Sequence, residues 1–125
     1  MFKYLNLNPL GRHVQDCTVR AIALATNRSW DEVYEELSHF AQKEAVILDD
    51  VDYIDSYLMA RFDRVCDCRD RGLTVGQFVQ NHPKGIYIIT MQGHITCAKD
   101  GIIYDIFDPS QKYIWEAYKI KEDSY

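Results

Sequence analysis

The spacing of apolar residues divides the chain into a helical first part and a β-rich second part. In the first part apolar positions recur every three or four residues, and in the second short apolar runs lie between turn residues. Capping boxes at residues 29–32 and 74–77 mark two helix starts. The pattern predicts four helices, over residues 17–26, from 29 to about 45, from 49–52 onward, and over 74–80. The third is expected to bury Val51, Ile54, Tyr57 and Leu58.

The second part predicts a sheet. The expected strands cover residues 61–67, 85–90, 94–99, 102–107 and 113–118. Asp100-Gly101 is a strong signal for a two-residue hairpin turn, and residues 1–15 predict an irregular or extended entry segment. Helices followed by an antiparallel sheet indicate an α+β fold. Because the chain has 125 residues and neither repeat nor linker, we expect a single domain over residues 1–125.

Cys17 is the first candidate for chemistry. It begins the predicted helix 17–26, which is apolar nearly all round and therefore suited to the centre of a domain. Asp16 is a suitable N-cap, so Cys17 falls in the first turn, where free N–H groups and the helix dipole favour a thiolate. The position suits a nucleophile. The alternative is a buried structural cysteine, since free Cys is among the most buried residue types.

The predicted hairpin brings two further candidates together. A two-residue turn pairs Thr96 with Asp105, which places His94 and Asp105 on one face as diagonal neighbours. A carboxylate beside an imidazole fixes its tautomer, and the other ring nitrogen can then hold a thiolate. In this register Asp108 lies on the opposite face. A longer turn or a bulge would exchange the two acids, so Asp105 is preferred and Asp108 stays open.

Each of these residues also has an ordinary interpretation. His94 follows Gly93 and could be an exposed turn residue, and Asp108-Pro109-Ser110 is a plain turn signal. The order of a Cys at a helix start, a His on a strand and an Asp on the paired strand is less easily accidental. Arg20, within an apolar helix, is expected to pair with a buried acid, because an unpaired buried charge is too costly.

Composition narrows the function classes. The formal net charge of −5 argues against non-specific binding to nucleic acid or to an anionic membrane surface. No apolar run is long enough to span a bilayer, and the N-terminus lacks the apolar core of a signal peptide, so we expect a cytoplasmic protein. In that compartment the four cysteines are expected to be free. Cys66 and Cys68 stand too close in sequence to bridge each other comfortably.

The order of these elements resembles the papain-like cysteine peptidase superfamily. The matching segments are Gln-Asp-Cys at residues 15–17, Gly-His-Ile-Thr-Cys-Ala at 93–98 and Tyr-Asp-Ile-Phe-Asp-Pro at 104–109. The Asp-Cys pair and the late Asp-Pro look like bacteriocin-processing peptidase domains, and the whole is more similar to small cysteine-peptidase-like proteins of phages and bacteria. The resemblance implies N-terminal helices with the Cys-bearing central helix packed on a C-terminal antiparallel sheet.

The resemblance implies a thiol hydrolase that cleaves a peptide, isopeptide or related acyl bond in a peptide or protein substrate. Cys17 is then the nucleophile, His94 the acid and base, and Asp105 or Asp108 the orienting acid. These peptidases place an oxyanion-stabilising Gln or Asn five or six residues before the Cys. Arg12 and Gly11 stand there instead, which leaves Asn8 or Gln15 as the donor.

The missing upstream amide favours a second hypothesis, a catalytically inactive papain-like binding module such as a phage protein that engages a host component in the host cytoplasm. Neither hypothesis requires a cofactor or a metal. A zinc set of Cys66, Cys68, His94 and Cys97 is disfavoured, because Cys-x-Cys is not the usual ligand spacing. The oligomeric state is left open.

Overall fold

A six-stranded mixed sheet forms the centre of residues 1–121, the part of the chain that the computed structural model describes. Its strands are β1 (Phe2–Tyr4), β2 (Asp63–Asp67), β3 (Ile86–Met91), β4 (His94–Lys99), β5 (Ile102–Asp105) and β6 (Ile114–Ile120). The spatial order is β1-β5-β4-β3-β6-β2. Strand β1 runs parallel to β5, and every other neighbouring pair is antiparallel.

Four helices lie within the same range, which makes the fold α+β. They are α1 (Cys17–Thr26), α2 (Trp30–Lys43), α3 (Val51–Arg61) and α4 (Val75–Asn81). Both predicted capping boxes form, with Ser29 and Thr74 each accepting a backbone N–H three residues later. None of these helices is long and apolar enough to cross a bilayer.

Two apolar layers pack on the two faces of the sheet. Successive side chains of β3 point to opposite faces, so Ile88 joins one layer and Ile89 the other. The first layer packs α1, α2 and α3 on the sheet through residues that include Val19, Ile22, Val33, Leu37 and Leu58. The second packs α4 on the opposite face through Val75, Phe78 and Val79. Helix α1 is therefore held between the sheet and α2.

Most predicted elements are confirmed, with small shifts at several ends, and three further differences affect the sheet edge and the surroundings of the site. The entry segment contains β1, whose partner residues lie about 100 positions away on β5 and leave no local signal. Strand β5 ends at Asp105 rather than at residue 107, so Asp108 lies in a turn and not on a strand face. The inward placement of Val51 is wrong: its exposure is 60 %, because Val51 lines a cleft that is open to solvent.

The expectation of four free cysteines is also wrong. Cys66 and Cys68 form a disulfide, and the free thiols within residues 1–121 belong to Cys17 and Cys97. Residues i and i+2 of a strand share a face but lie about 6.6 Å apart at the Cα atoms. Here the separation is 5.5 Å, because β2 ends between them, and this distance suits a disulfide.

Candidate active site

The N-terminus of α1 places the candidate nucleophile. Cys17 is the first residue of the helix and is half-buried, and its thiol lies at a cleft between α1, α3 and the ends of the central strands. As the first helical residue it has a backbone N–H without a partner inside the helix. The expected cap is wrong in one respect: the Asp16 carboxylate makes no capping hydrogen bond.

The β4–β5 hairpin positions the imidazole and its carboxylate. The predicted register is confirmed, with Lys99 opposite Ile102, and the hydroxyl of Thr96 donates to Asp105 Oδ2 at 2.6 Å. The Nε2 atom of His94 lies 2.6 Å from the same oxygen. Phe107 packs on the His94 ring, with ring centroids 4.6 Å apart, and helps to bury it. The hairpin therefore fixes both groups on one face, next to the start of α1.

The environments of Cys17 and His94 favour a thiolate beside an imidazolium. Burial opposes ionisation of the Cys17 thiol, but the hydrogen bond and charge of His94, together with the Ile95 backbone N–H, outweigh it and lower the pKa. Burial also opposes protonation of His94, but its hydrogen bonds with Asp105 and Cys17 raise the imidazole pKa to about 9. The imidazole is thus protonated at neutral pH, and its charge favours the neighbouring thiolate.

Asp105 is held as an ionised carboxylate. Burial to 1 % exposure favours its neutral form, yet the hydrogen bonds from His94, Thr96 and the Ile106 backbone keep its pKa below the usual range. Its Oδ1 atom accepts the Ile106 N–H at 2.7 Å and Arg20 Nη1 at 3.1 Å. Four donors therefore converge on this carboxylate, which fixes its position as well as its charge.

Sequence reasoning missed the role of Asp16. Arg20 pairs with buried acids, as expected, but with two of them: its Nε donates to Asp16 Oδ1 at 2.7 Å, and its Nη1 to Asp105. Asp16 also accepts the Trp30 indole N–H and the Asn8 amide, each at 3.0 Å. The four-residue spacing of Asp16 and Arg20 on one helix face was the available signal. Arg20 thereby links the start of α1 to the carboxylate behind His94.

The remaining candidates lie in different surroundings. Asp108 is exposed, and its Oδ1 accepts the Ser110 N–H at 3.0 Å, which is the turn geometry noted as its alternative. The side chain of Asn8 is held by three hydrogen bonds, since its Nδ2 donates to Asp16 and its Oδ1 accepts from the Leu10 and Arg12 N–H groups. Gln15 is exposed and lines the cleft together with Cys17. Of the two amide candidates, Gln15 is therefore the one that faces the thiol's cleft.

No metal cluster and no known relative identifies the site. Within residues 1–121 no group of three His, Cys, Asp or Glu side chains is arranged to hold a metal ion. No protein-family model, curated protein or solved structure matches the chain. The chemistry of the site is therefore inferred from the candidate nucleophile Cys17, the candidate base His94 and the cleft of about 490 Å³ that both residues line.

Proposed function

We propose that this protein is a thiol hydrolase with a papain-like fold, in which Cys17 attacks a peptide, isopeptide or related acyl bond. The proposal is carried by one observation: Cys17, His94 and Asp105, from three separate elements, lie together at a cleft that Cys17 and His94 both line, with His94 hydrogen-bonded to Asp105 and lowering the pKa of the Cys17 thiol. A nucleophile, a base in contact with it and a group that orients the base are the parts that covalent acyl transfer requires.

In the first half of the reaction the Cys17 thiolate attacks the carbonyl carbon of the substrate. A C–S bond forms, and the carbonyl π electrons move to the oxygen. As the carbonyl re-forms, the C–N bond breaks and the His94 imidazolium gives its proton to the departing nitrogen. The products of this half are a free amine and a thioester on Cys17.

The second half regenerates the enzyme. Neutral His94 takes a proton from a water molecule, and the oxygen of that water attacks the thioester carbon. When the carbonyl re-forms, the C–S bond breaks and its electron pair returns to sulfur. A carboxylic acid leaves, and the imidazolium–thiolate pair is restored. Asp105 stabilises the imidazolium, in the free enzyme and again as water attacks the thioester, without itself gaining a proton.

The developing oxyanion needs donors. The free backbone N–H of Cys17 at the start of α1 is one, and the positive end of the helix dipole adds to it. Gln15 is the side chain that we assign as the second donor, because it lines the cleft and makes no hydrogen bond within the described residues. Its exposure leaves it free to turn toward a bound carbonyl.

A papain-like arrangement is supported by how α1 packs. The helix that carries Cys17 lies against β4, the strand that carries His94, and β5 follows with Asp105. The sheet also contains a parallel strand, β1, at its edge, which the resemblance did not imply. The helix-on-sheet contact between nucleophile and base is the part of the architecture on which the proposal depends.

A binding module remains the second candidate function. Gln15, the only proposed oxyanion side chain that lines the cleft, has no partner that holds it in place. A cleft lined by exposed apolar residues such as Val51 and Phe107 also suits a bound segment that is not cleaved.

The two functions are separated by labelling with an electrophilic acyl probe. We expect a peptidyl acyloxymethyl ketone to alkylate Cys17 much faster than it alkylates glutathione, and His94→Ala to remove that advantage. Cys97 is the internal control, because complete burial raises the pKa of its thiol to about 12. Alkylation at the rate of an ordinary thiol, unchanged by His94→Ala, would leave the binding module as the better account.

A further inference from the structure

The cleft next to Cys17 has an unusually exposed apolar lining. Helix α3 contributes Val51 and Ile54 to one wall, and Phe107 and Trp115 contribute to the lining from the sheet side. Val51 is 60 % exposed and Phe107 is 40 % exposed, so large apolar surfaces face solvent at the mouth of the cleft. Exposed apolar surface concentrated at one concave site is typical of a surface that binds a ligand.

Two carboxylates without an ion-pair partner line the same cleft. Asp49 precedes α3, and Asp55 lies on the same helix face as Val51, one turn further along. Neither acid makes an ion pair or a side-chain hydrogen bond within residues 1–121. The basic groups that line the cleft are Arg20 and His94, and both are already paired with buried carboxylates. The cleft lining therefore has two carboxylates that no ion pair neutralises.

The surroundings of Asp55 increase its attraction for a cation. Burial first, and then the charges of Glu116 and Asp52, raise the pKa of the Asp55 carboxyl, while Arg69 acts in the opposite direction. Arg69 is exposed and does not reach Asp55 as an ion pair; its guanidinium instead lies 3.6 Å over the Trp115 ring. Trp115, which lines the same cleft as Asp55, thus already accepts a guanidinium on its ring.

We propose that this cleft binds a peptide segment that places a lysine or arginine side chain against Asp55 and an adjoining apolar side chain against Val51 and Phe107. The aliphatic stem of a basic residue covers apolar surface while its charged end reaches a carboxylate. One lysine or arginine side chain can therefore contact both the apolar lining of the cleft and its carboxylate. An acidic segment is repelled by Asp49 and Asp55. The position of the scissile bond beside Cys17 rests on the proposed function; the charge preference of the cleft does not.

Matched acetyl-tripeptidyl acyloxymethyl ketones test this inference. One series carries lysine, norleucine or glutamate next to the ketone, and a second series carries them at the preceding residue. In at least one series we expect lysine to alkylate Cys17 about fivefold or more faster than norleucine, and glutamate to be the slowest, as one partly screened charge pair predicts. Added salt should reduce the preference.

Asp55→Asn should reduce the ratio of the lysine rate to the norleucine rate to about one. Asp31→Asn is the matched control, because it removes the same charge from a helix at an exposed position outside the cleft lining and away from Asp55. Lysine and norleucine reacting equally in both series of the wild type, or an advantage that survives Asp55→Asn, would overturn the inference.

Peptide binding to the Cys17→Ser variant, which lacks the thiol, tests the subsite independently of the proposed hydrolase activity. The same tripeptides, made as amides, are titrated into that variant by calorimetry, with the lysine amide expected to bind about fivefold more tightly than the norleucine amide. If no ketone reacts faster than with glutathione, the hydrolase proposal fails, and the calorimetric preference still decides the subsite. Equal affinities of the lysine and norleucine amides would overturn the proposed subsite, whatever alkylation rates the ketones show.

Discussion

The imidazole of His94 gives its Nε2–H to Asp105 Oδ2 across 2.6 Å, and Nδ1 is therefore the nitrogen that remains for Cys17. The contact decides the tautomer and the ring orientation together. Because Thr96 donates to the same oxygen and Arg20 to the other, Asp105 cannot turn away without breaking several buried hydrogen bonds. The base is thus oriented from behind by a carboxylate that is itself fixed.

Neutralising this carboxylate should slow turnover strongly. We expect Asp105→Asn to lower kcat by roughly 10²- to 10⁴-fold, because the amide neither stabilises the imidazolium nor enforces the tautomer. Asp108→Asn is the control, and should leave kcat within about twofold, since its carboxylate serves only a turn. Steady-state kinetics on both variants make the comparison, and equal small losses would mean that the site works as a Cys/His dyad.

The pH dependence should report the Cys17–His94 pair. The Cys17 pKa is lowered, so iodoacetamide should label Cys17 well below the pH range in which an ordinary thiol reacts. Turnover should fall as pH rises through about 9, because His94 then loses the proton that it must give to the leaving group. In His94→Ala the labelling profile should move to higher pH. An unshifted profile in that variant would contradict the ion pair.

The two free cysteines should respond oppositely to truncation. Cys17→Ala should abolish turnover and change the free energy of unfolding by less than about 1 kcal/mol, because the side chain faces a cleft and leaves little cavity. Cys97→Ala should retain activity and cost about 1–2 kcal/mol, since this thiol is fully buried in the core. Denaturant unfolding and kinetics on both proteins provide the measurements. Lost stability with normal activity for Cys17→Ala would make this residue a packing residue.

The two amide candidates should also differ. Gln15→Ala should lower kcat by about 10²-fold with unchanged stability, the result expected when an oxyanion donor is lost. Asn8→Ala should instead destabilise the fold by about 1–3 kcal/mol, because its side chain holds the buried Asp16 carboxylate and two backbone N–H groups. Kinetics and chemical denaturation separate the two effects, and the reverse outcome would reassign the donor.

Arg20 should be required for stability. Arg20→Met leaves Asp16 and Asp105 buried without their common cation and should cost about 3–5 kcal/mol. Arg20→Lys keeps the charge but cannot bridge both carboxylates with a planar fork, so it should be intermediate. Urea unfolding of the three proteins tests the order. A fully stable Arg20→Met would show that the two acids are satisfied without it.

The hairpin was predictable because its signal is local. Asp100 and Gly101 both adopt positive φ angles, 49° and 82°, as a tight two-residue turn requires, and this turn fixes the register that aligns His94 with Asp105. The start of α1 at Cys17 was predictable for a similar reason, from the apolar run that follows. Both halves of the candidate site therefore follow from short stretches of sequence.

What could not be predicted depends on partners far along the chain. Periodicity showed that Val51 shares a helix face with Ile54, but it could not show that one end of this face opens onto a cleft. Asp16 was expected to cap α1 with its carboxylate. Instead, this carboxylate accepts hydrogen bonds from the Arg20 and Trp30 side chains, and these take the place of the capping bond. A disulfide between Cys66 and Cys68 was not expected, because the sequence predicted that both lie along one continuous strand. In the structure β2 ends between them, and the disulfide forms.

The separation of the site along the chain has a consequence for the protein during its synthesis. Cys17 emerges from the ribosome long before His94 and Asp105, and its low pKa depends on the imidazole. The nascent chain therefore carries an ordinary thiol, with no special reactivity toward the metabolites and electrophiles around it. The reactive sulfur comes into existence only when α1 docks on the completed hairpin, so the rate of Cys17 labelling is itself a direct measure of correctly folded protein.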